Sequence, residues 1–476
     1  MVAAVVRYNR ARIPSRSAIA ASAEPNREIQ IRVSPNPAFV DGEVDIRVEG
    51  LAAAQKAVVH ASTLDDEKRL WSSHAEFRAD AAGCIEPRTS ESFAGTYRGV
   101  SPMGLFWSMH LAQEKGVPDH GRRIYSKTSA TPEEVRIEVE IAGAFAAADN
   151  FERIYLAPGT ETRDMKVSGQ NGGPKSGIVG RLFLPPAAAD AQSDPQALLP
   201  VVIVVGGSGG GFDLDKAAVL SRHGFATFAL AYFGIPPLPR WLHRIPFEYF
   251  EAAIAWLGAQ SRIDSARIGV LGISRGAELA LLLASTFSEI RCVIAYSPSS
   301  VAWSSGGRDR DTGEIIPSWI HKGDAIPFAT LPMREFMVRS AVPVVVMRRP
   351  VMFRNLFRAG LRNRSAVEQA AIPVERISGP VMLISGGDDH VWPAAEMSEE
   401  IIARLKRHDF PHAVEHLNYP RAGHMLRYPH LPTTPREARH ASLRNARYSF
   451  GGSAEADAEA QSDSWRRAIA FLRAAL

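Results

Sequence analysis

Val270-Leu271-Gly272-Ile273-Ser274-Arg275-Gly276-Ala277-Glu278-Leu279-Ala280 joins a short apolar strand to an apolar helix through one serine held between glycines. The composition predicts a buried strand over residues 267–271 and a helix over 275–286, with a sharp turn between them. A serine on such a turn is strained, with its hydroxyl presented outward, and small residues are needed where strand and helix approach closely. The helix N-terminus behind it supplies backbone N–H groups and a positive dipole end where an oxyanion would form. Five-residue patterns of this kind also arise by chance, so the surrounding chain has to decide.

Working outward, strands and helices alternate. Leu199–Val205 is a near-continuous apolar run, as a strand covered on both faces should be. Helix is predicted at Ala217–His223, strand at Ala226–Ala231, helix at Phe247–Gln260 and strand at Cys292–Tyr296. Strands at Pro380–Ser385 and Val414–Tyr419, and helices at Met397–His408 and Asp463–Ala475, follow. Such alternation implies a mostly parallel, doubly wound sheet with helices on both faces, and together with the serine turn it fits the α/β-hydrolase class of fold. Between Val301 and Val374 the alternation breaks, and an insertion of that length is usually functional or disordered.

A serine hydroxyl needs a base, itself oriented by an acid, and in an α/β hydrolase the three follow in the order Ser, Asp or Glu, His, each after a strand. The predicted strand 381–385 runs into Gly386-Gly387-Asp388-Asp389-His390, and the strand 415–419 into Pro420-Arg421-Ala422-Gly423-His424. Order and loop position therefore nominate Ser274, Asp389 and His424 as a catalytic triad. Asp388 and Asp389 also fit the plainer role of turn residues or caps for the next helix. Asp389 is preferred because it stands three residues after Gly386, where the turn would aim it at His424. His390 reads as a packing neighbour. Among 14 histidines, His424 is singled out by its post-strand loop and preceding glycine.

The oxyanion hole requires two backbone N–H groups, one of them from the residue after the nucleophile, Arg275. The other is expected from Gly206-Gly207-Ser208-Gly209-Gly210-Gly211, at Gly207 or Ser208. A phosphate-binding loop and a flexible turn are the rival readings, but no Gly-Lys-Ser/Thr follows, as a nucleotide P-loop demands. Within the insertion, no acid occurs from Phe336 to Val367, while Arg348, Arg349, Arg354, Arg358, Arg362 and Arg364 cluster. Phe353, Leu356, Phe357 and Leu361 fall at helical spacing, with Arg354, Arg358 and Arg362 in a row beside them. The row fits a solvated lid face, a contact with an anionic membrane surface, or phosphate binding by Arg354, Arg358 and Arg362, since guanidinium suits phosphate bidentately.

Composition bounds the rest. Hydrophobic content of 46% and charged content of 22% are those of a soluble globular protein, and 476 residues suit two large domains or three smaller ones. A net charge of +4 is too small at this length to argue for nucleic acid. Cys84 and Cys292 are far apart and in no ligand spacing, so neither a disulfide framework nor a metal site is expected, and a reducing, cytoplasmic location fits. No membrane-spanning run and no cofactor motif are present, and nothing bears on oligomeric state. Residues 1–26 form a basic tail that is expected to be disordered; its arginines and serines also resemble a transit peptide.

Residues 27–170 have a different texture. Ile29–Val33, Val44–Val48, Ala57–Ala61, Trp71–Phe77 and Val135–Ile141 are short segments, several of them alternating apolar and polar, and turn signals such as Ser34-Pro35-Asn36-Pro37 separate them. A β-sandwich of about seven strands is predicted, joined at residues 167–178 to a catalytic domain over 171–476 whose lid spans 301–374.

From about residue 28 onward the chain resembles the acyl-CoA thioesterase and bile acid-CoA:amino acid N-acyltransferase family. The resemblance rests on Ser101–Met109, Gly180–Pro186, Ala229–Phe233, Gly272–Leu279, Ile372–Arg376, Gly386–Trp392 and Tyr419–His424, all in the family's order. It implies an immunoglobulin-like first domain and cleavage of an acyl-CoA thioester through a covalent acyl-enzyme, with Ser274 as nucleophile, Asp389 as acid and His424 as base. The bile-acid-conjugating branch carries cysteine at the nucleophile position, so Ser274 resembles the hydrolytic members. Acyl transfer to an amine or alcohol, and carboxylesterase or peptidase activity, are the alternatives. The glycine-rich loop 206–211 and the arginine-rich stretch 339–364 depart from the family pattern and leave acyl specificity open.

Overall fold

The alternating segments near the N-terminus pair as antiparallel strands. A computed structural model describes residues 28–112, 124–165, 177–186, 198–341, 347, 349–439 and 447–476. The expectations for the tail 1–26, for Arg348 and for most of the join at 167–178 lie outside these residues. Lys56–Leu64 pairs with Leu70–Arg78 on one side and Glu133–Ile141 on the other. Every second side chain of Lys56–Leu64 is buried, as the pleat requires. Glu133–Ile141 turns into Ala144–Ile154, a strand that its Ala-Phe-Ala-Ala-Ala-Asp-Asn composition did not announce. Its pairing is imposed by the adjoining hairpin partner, which outweighs poor local β propensity. Gln30–Ser34 and Asp45–Glu49 form a second, two-stranded sheet. Ile46 and Val48 from this sheet share one apolar cluster with Val59, Trp71, Phe77, Ile137 and Val139 from the larger one.

The second half is built on an eight-stranded sheet. Its strands are β1 (Glu161–Met165), β2 (Val179–Leu184), β3 (Leu199–Val205), β4 (Ala226–Ala231), β5 (Ile263–Ile273), β6 (Ile290–Tyr296), β7 (Val381–Gly386) and β8 (Val414–Tyr419). Their spatial order is β1-β2-β4-β3-β5-β6-β7-β8. The β1–β2 and β2–β4 pairs are antiparallel, and β3 to β8 run parallel. This is the α/β-hydrolase arrangement, and the parallel strands read as apolar runs because helices cover both faces. β1 lies before residue 170, so the second sheet begins inside the stretch assigned by sequence to the first domain. Its Glu-Thr-Arg-Asp-Met composition has no apolar run, because it is an edge strand with only one neighbour to pair with.

The insertion contains helices Met333–Ala341, Arg354–Leu361 and Arg364–Ala370, with a small sheet formed by Trp319–His321, Asp324–Ala325 and Ile245–Pro246. Arg354 and Arg358 belong to one of these helices, and Arg362 is its C-terminal cap. The last helix, Ala454–Ala475, starts well before the predicted Asp463. Its first turns are small and polar, and the start is marked by Ser453, whose side chain accepts from the Ala456 amide. Among the described residues no helix is long and apolar enough to cross a membrane.

Candidate active site

β5 ends at Ile273, and the helix Arg275–Thr286 begins two residues later, leaving Ser274 as the only residue of the turn. Ser274 has φ 57° and ψ −122°, a conformation that costs an L-residue about 1–3 kcal/mol. Two glycines enforce it. A Cβ on Gly272 would stand 2.1 Å from the Gly276 carbonyl oxygen, and one on Gly276 would stand 2.4 Å from that of Gly206. The Ser274 amide donates to Tyr296 at 2.8 Å, locking the turn to the tip of β6.

Asp389 and His424 lie at the tips of β7 and β8, the next two parallel strands. His424 Nδ1 is 2.7 Å from Asp389 Oδ2, and His424 Nε2 is 3.0 Å from Ser274 Oγ. With the proton on Nδ1 donated to the carboxylate, Nε2 is left to accept from the serine hydroxyl. Asp389 is buried, and its Oδ1 accepts from the Val391 and Trp392 amides at 2.7 and 3.1 Å. Both its oxygens are thus fixed. Asp388 points elsewhere: it accepts from the Gly452 amide at 2.9 Å and lies 3.0 Å from His390 Nε2. The structure therefore brings together the three residues nominated from sequence and separates the neighbouring aspartate from them.

Several supports were not legible in the sequence. The His424 amide donates to Phe450 at 2.9 Å, and Ser297 Oγ donates to the His424 carbonyl at 3.1 Å. The Trp392 indole lies edge-on to the imidazole at 6.0 Å and donates to the Ser297 carbonyl at 3.1 Å. Asp457, from the last helix, accepts from the Gly423 amide at 2.7 Å and pairs with Arg436. Burial raises the Asp457 pKa above its ordinary value, opposed by Arg436. These partners come from segments remote in sequence and carry no periodic signal.

Of the expected oxyanion donors, Gly207 lies alongside Ser274: a Cβ there would stand 3.1 Å from the Ile273 oxygen and 4.0 Å from Ser274 Oγ. Ser208 is exposed in the following turn, which is closed by the Gly210 amide on Gly207 at 3.3 Å. Arg275 opens the helix, where the first N–H groups have no intrahelical acceptor. Its side chain turns away into the protein. Nη1 donates to Glu278 at 2.7 Å, and Nη2 donates to the Trp303 carbonyl at 3.0 Å and to Ser318. Glu278 also accepts from the Trp319 indole at 2.7 Å and from the Trp303 amide at 3.2 Å. Burial pushes the Glu278 carboxyl up to about 6 in spite of Arg275. This polar knot fastens the start of the insertion beneath the serine, and sequence reasoning did not find it.

The arginine helix packs its apolar side inward. Phe357 meets Trp303 at 4.9 Å and Trp392 at 5.5 Å, so the helix lies over the loop that carries Asp389. Arg358 is engaged by Glu396, with Nε 3.0 Å from Oε1, and Arg354 Nη1 is 3.8 Å from Asp388. Arg362 is exposed. A cavity of about 850 Å³ opens within the insertion between Arg308, Ile315, Leu331, Met333, Met337 and Val338, and none of Ser274, Asp389 and His424 lines it. No group of three or more residues suited to hold a metal occurs among the described residues.

Residues 41–167 match the model of the acyl-CoA thioester hydrolase/BAAT N-terminal region, and residues 245–476 match that of the BAAT/acyl-CoA thioester hydrolase C terminal. The chain is 29% identical over 441 residues to a mouse peroxisomal succinyl-coenzyme A thioesterase, covering 91% of this chain and 93% of that one. It is 29% identical over 437 residues to human acyl-coenzyme A thioesterase 1, covering 91% and 93%. To mouse bile acid-CoA:amino acid N-acyltransferase it is 29% identical over 450 residues, covering 92% and 96%. With both halves matched in order and relatives aligned along nearly their full length, the chain belongs to the acyl-CoA thioester hydrolase and bile acid-CoA:amino acid N-acyltransferase family.

Proposed function

We propose that the protein hydrolyses acyl-CoA thioesters through Ser274, His424 and Asp389. The observation that carries this is the strained serine with its hydroxyl 3.0 Å from an imidazole that is itself 2.7 Å from a buried carboxylate. His424 Nε2 takes the proton of Ser274 as Oγ attacks the thioester carbonyl, and Asp389 stabilises the imidazolium. Amides of the Gly207–Ser208 loop and of Arg275 hold the tetrahedral oxyanion, each such donor contributing about 3 kcal/mol to transition-state stabilisation. Collapse breaks the C–S bond, and the CoA sulfur leaves with the proton from His424. Water, deprotonated by His424, then attacks the acyl-serine; a second oxyanion forms and collapses, and the free acid departs as Ser274 regains its proton.

The first domain is read as immunoglobulin-like, supported by its two β-sheets packed around one core. Arg354, Arg358 and Arg362 are read as an electrostatic rim for the CoA phosphates, supported by the seat of their helix over the Asp389 loop; the exposed Arg362 is the freest of the three. Free, buried Cys84 and Cys292 support a reducing, cytoplasmic setting.

A second reading, transfer of the acyl group to an amine, is favoured by the similarity to the N-acyltransferase. One assay separates these. Thiol release from a panel of acyl-CoA esters, with and without an amine acceptor, should give free acid in both cases and fall by about 10⁴ or more in Ser274→Ala. An amide product would move the assignment to acyl transfer, and activity surviving in Ser274→Ala would sink both readings. In the same assay Arg362→Glu should weaken turnover of acyl-CoA but not of a phosphate-free thioester. Equal losses on the two substrates would dismiss phosphate recognition.

A further inference from the structure

The segment after His424 leaves the active site and runs straight into the β domain. Arg427, three residues on, has its side chain mostly buried. Its Nη2 donates to Asp215 at 2.5 Å and its Nη1 to the Tyr125 carbonyl at 3.3 Å. Tyr428 donates to the same Asp215 oxygen at 2.8 Å. Asp215 sits in the first turn of the helix Leu214–Ser221, immediately behind the glycine-rich loop 206–211. Beside it, Lys216 pairs with Asp213 at 3.0 Å and closes the end of that loop. Further along, Arg153 of the β domain donates to the His430 carbonyl at 3.3 Å, the Thr433 amide donates to Trp107 at 2.9 Å, and Thr434 Oγ1 donates to Met109 at 2.6 Å. One guanidinium thus touches three parts of the molecule: the strap carrying the base, the helix behind the oxyanion loop, and the first domain.

We propose that Arg427 is a positioning residue that holds His424 and the 206–211 loop in register, and that the β domain is a structural part of the active site through this strap. This rests on the reading of Ser274 and His424 as nucleophile and base. Both elements must keep sub-ångström places relative to Ser274, and a misplacement of about 1 Å can cost roughly 100-fold in rate. Guanidinium is suited to the task because its planar fork bonds a carboxylate and a carbonyl at once, which an ammonium does less well.

The experiment compares the full chain with Arg427→Lys and Arg427→Met, reading kcat and KM by thiol release and the rate of Ser274 modification by a fluorophosphonate. In Arg427→Met, kcat should fall about tenfold or more with KM within about twofold, the labelling rate should fall in parallel, and Arg427→Lys should recover part of both. Arg427→Met leaves buried Asp215 without the guanidinium bonded to it, so Tyr428→Phe/Thr434→Val, which removes one hydroxyl bond on each side of the strap, is measured as well. Folded variants with a lower melting temperature but unchanged kcat and labelling rate would overturn the proposal and leave these contacts merely structural. If wild type itself were not labelled at Ser274, the underlying catalytic reading would fall instead.

Discussion

Asp389 and His424 show how narrow the tolerances are at the level of single side chains. Asp389 accepts two backbone amides through one oxygen and the imidazole through the other, so it fixes both ring orientation and tautomer. Asp389→Asn keeps the shape but can present an N–H to Nδ1, favouring the wrong tautomer. Its kcat on an acyl-CoA ester should drop by roughly 10⁴ with little change in melting temperature, as the same change does in another triad. A loss below about tenfold would mean that the carboxylate does not orient the base. These residues were legible in sequence because each follows an apolar strand in a short loop and the chain order is restrictive. Asp457, Ser297 and the Phe450 carbonyl were not, since a supporting partner can come from any segment that folding brings near.

Among elements, the helix Arg275–Thr286 and the insertion are joined by the Arg275–Glu278 knot. Burial raises the Glu278 pKa from 4.5 to about 6, so the fold favours its protonated form. Its contribution to stability is therefore fully present below about 4.5 and is lost as pH rises through about 6. Measured by urea unfolding, wild type should gain up to about 2 kcal/mol relative to Glu278→Gln between pH 7 and pH 4.5. Parallel pH profiles for the two proteins would show that Glu278 does not titrate in this window. The arginine row at 354, 358 and 362 fits a solvated lid face, a membrane contact or a phosphate site by its spacing; in the structure Glu396 engages Arg358, Asp388 stands near Arg354, and the helix ends at Leu361. Spacing identifies which face is polar, but not which acids from other elements will neutralise it.

At the level of the molecule, the six parallel strands followed from alternation of apolar strands and helices, whereas their spatial order and the two antiparallel strands beside them did not. β1 is a polar edge strand whose place is set only by pairing with β2. The interface was hidden for the same reason: Asp41 meets Arg222 at 2.7 Å, His223 at 2.7 Å and the Trp465 indole at 2.9 Å, partners from two segments remote from it in the chain. Val40, Trp71 and Ile137 of the first half belong to one apolar cluster with Leu220, Ile294, Trp465 and Leu472 of the second. Calorimetry should accordingly show one cooperative unfolding transition with matching van't Hoff and calorimetric enthalpies; two resolved transitions would refute the shared core.

That seam has a consequence for anyone hoping to recombine the molecule. The front half is no detachable cassette: transplanting the catalytic half alone, or exchanging the leading domain for that of another hydrolase, exposes a greasy scar along Leu220 and Trp465. Only a graft that recreates the complementary surface, Asp41 included, would remain soluble and keep its chemistry.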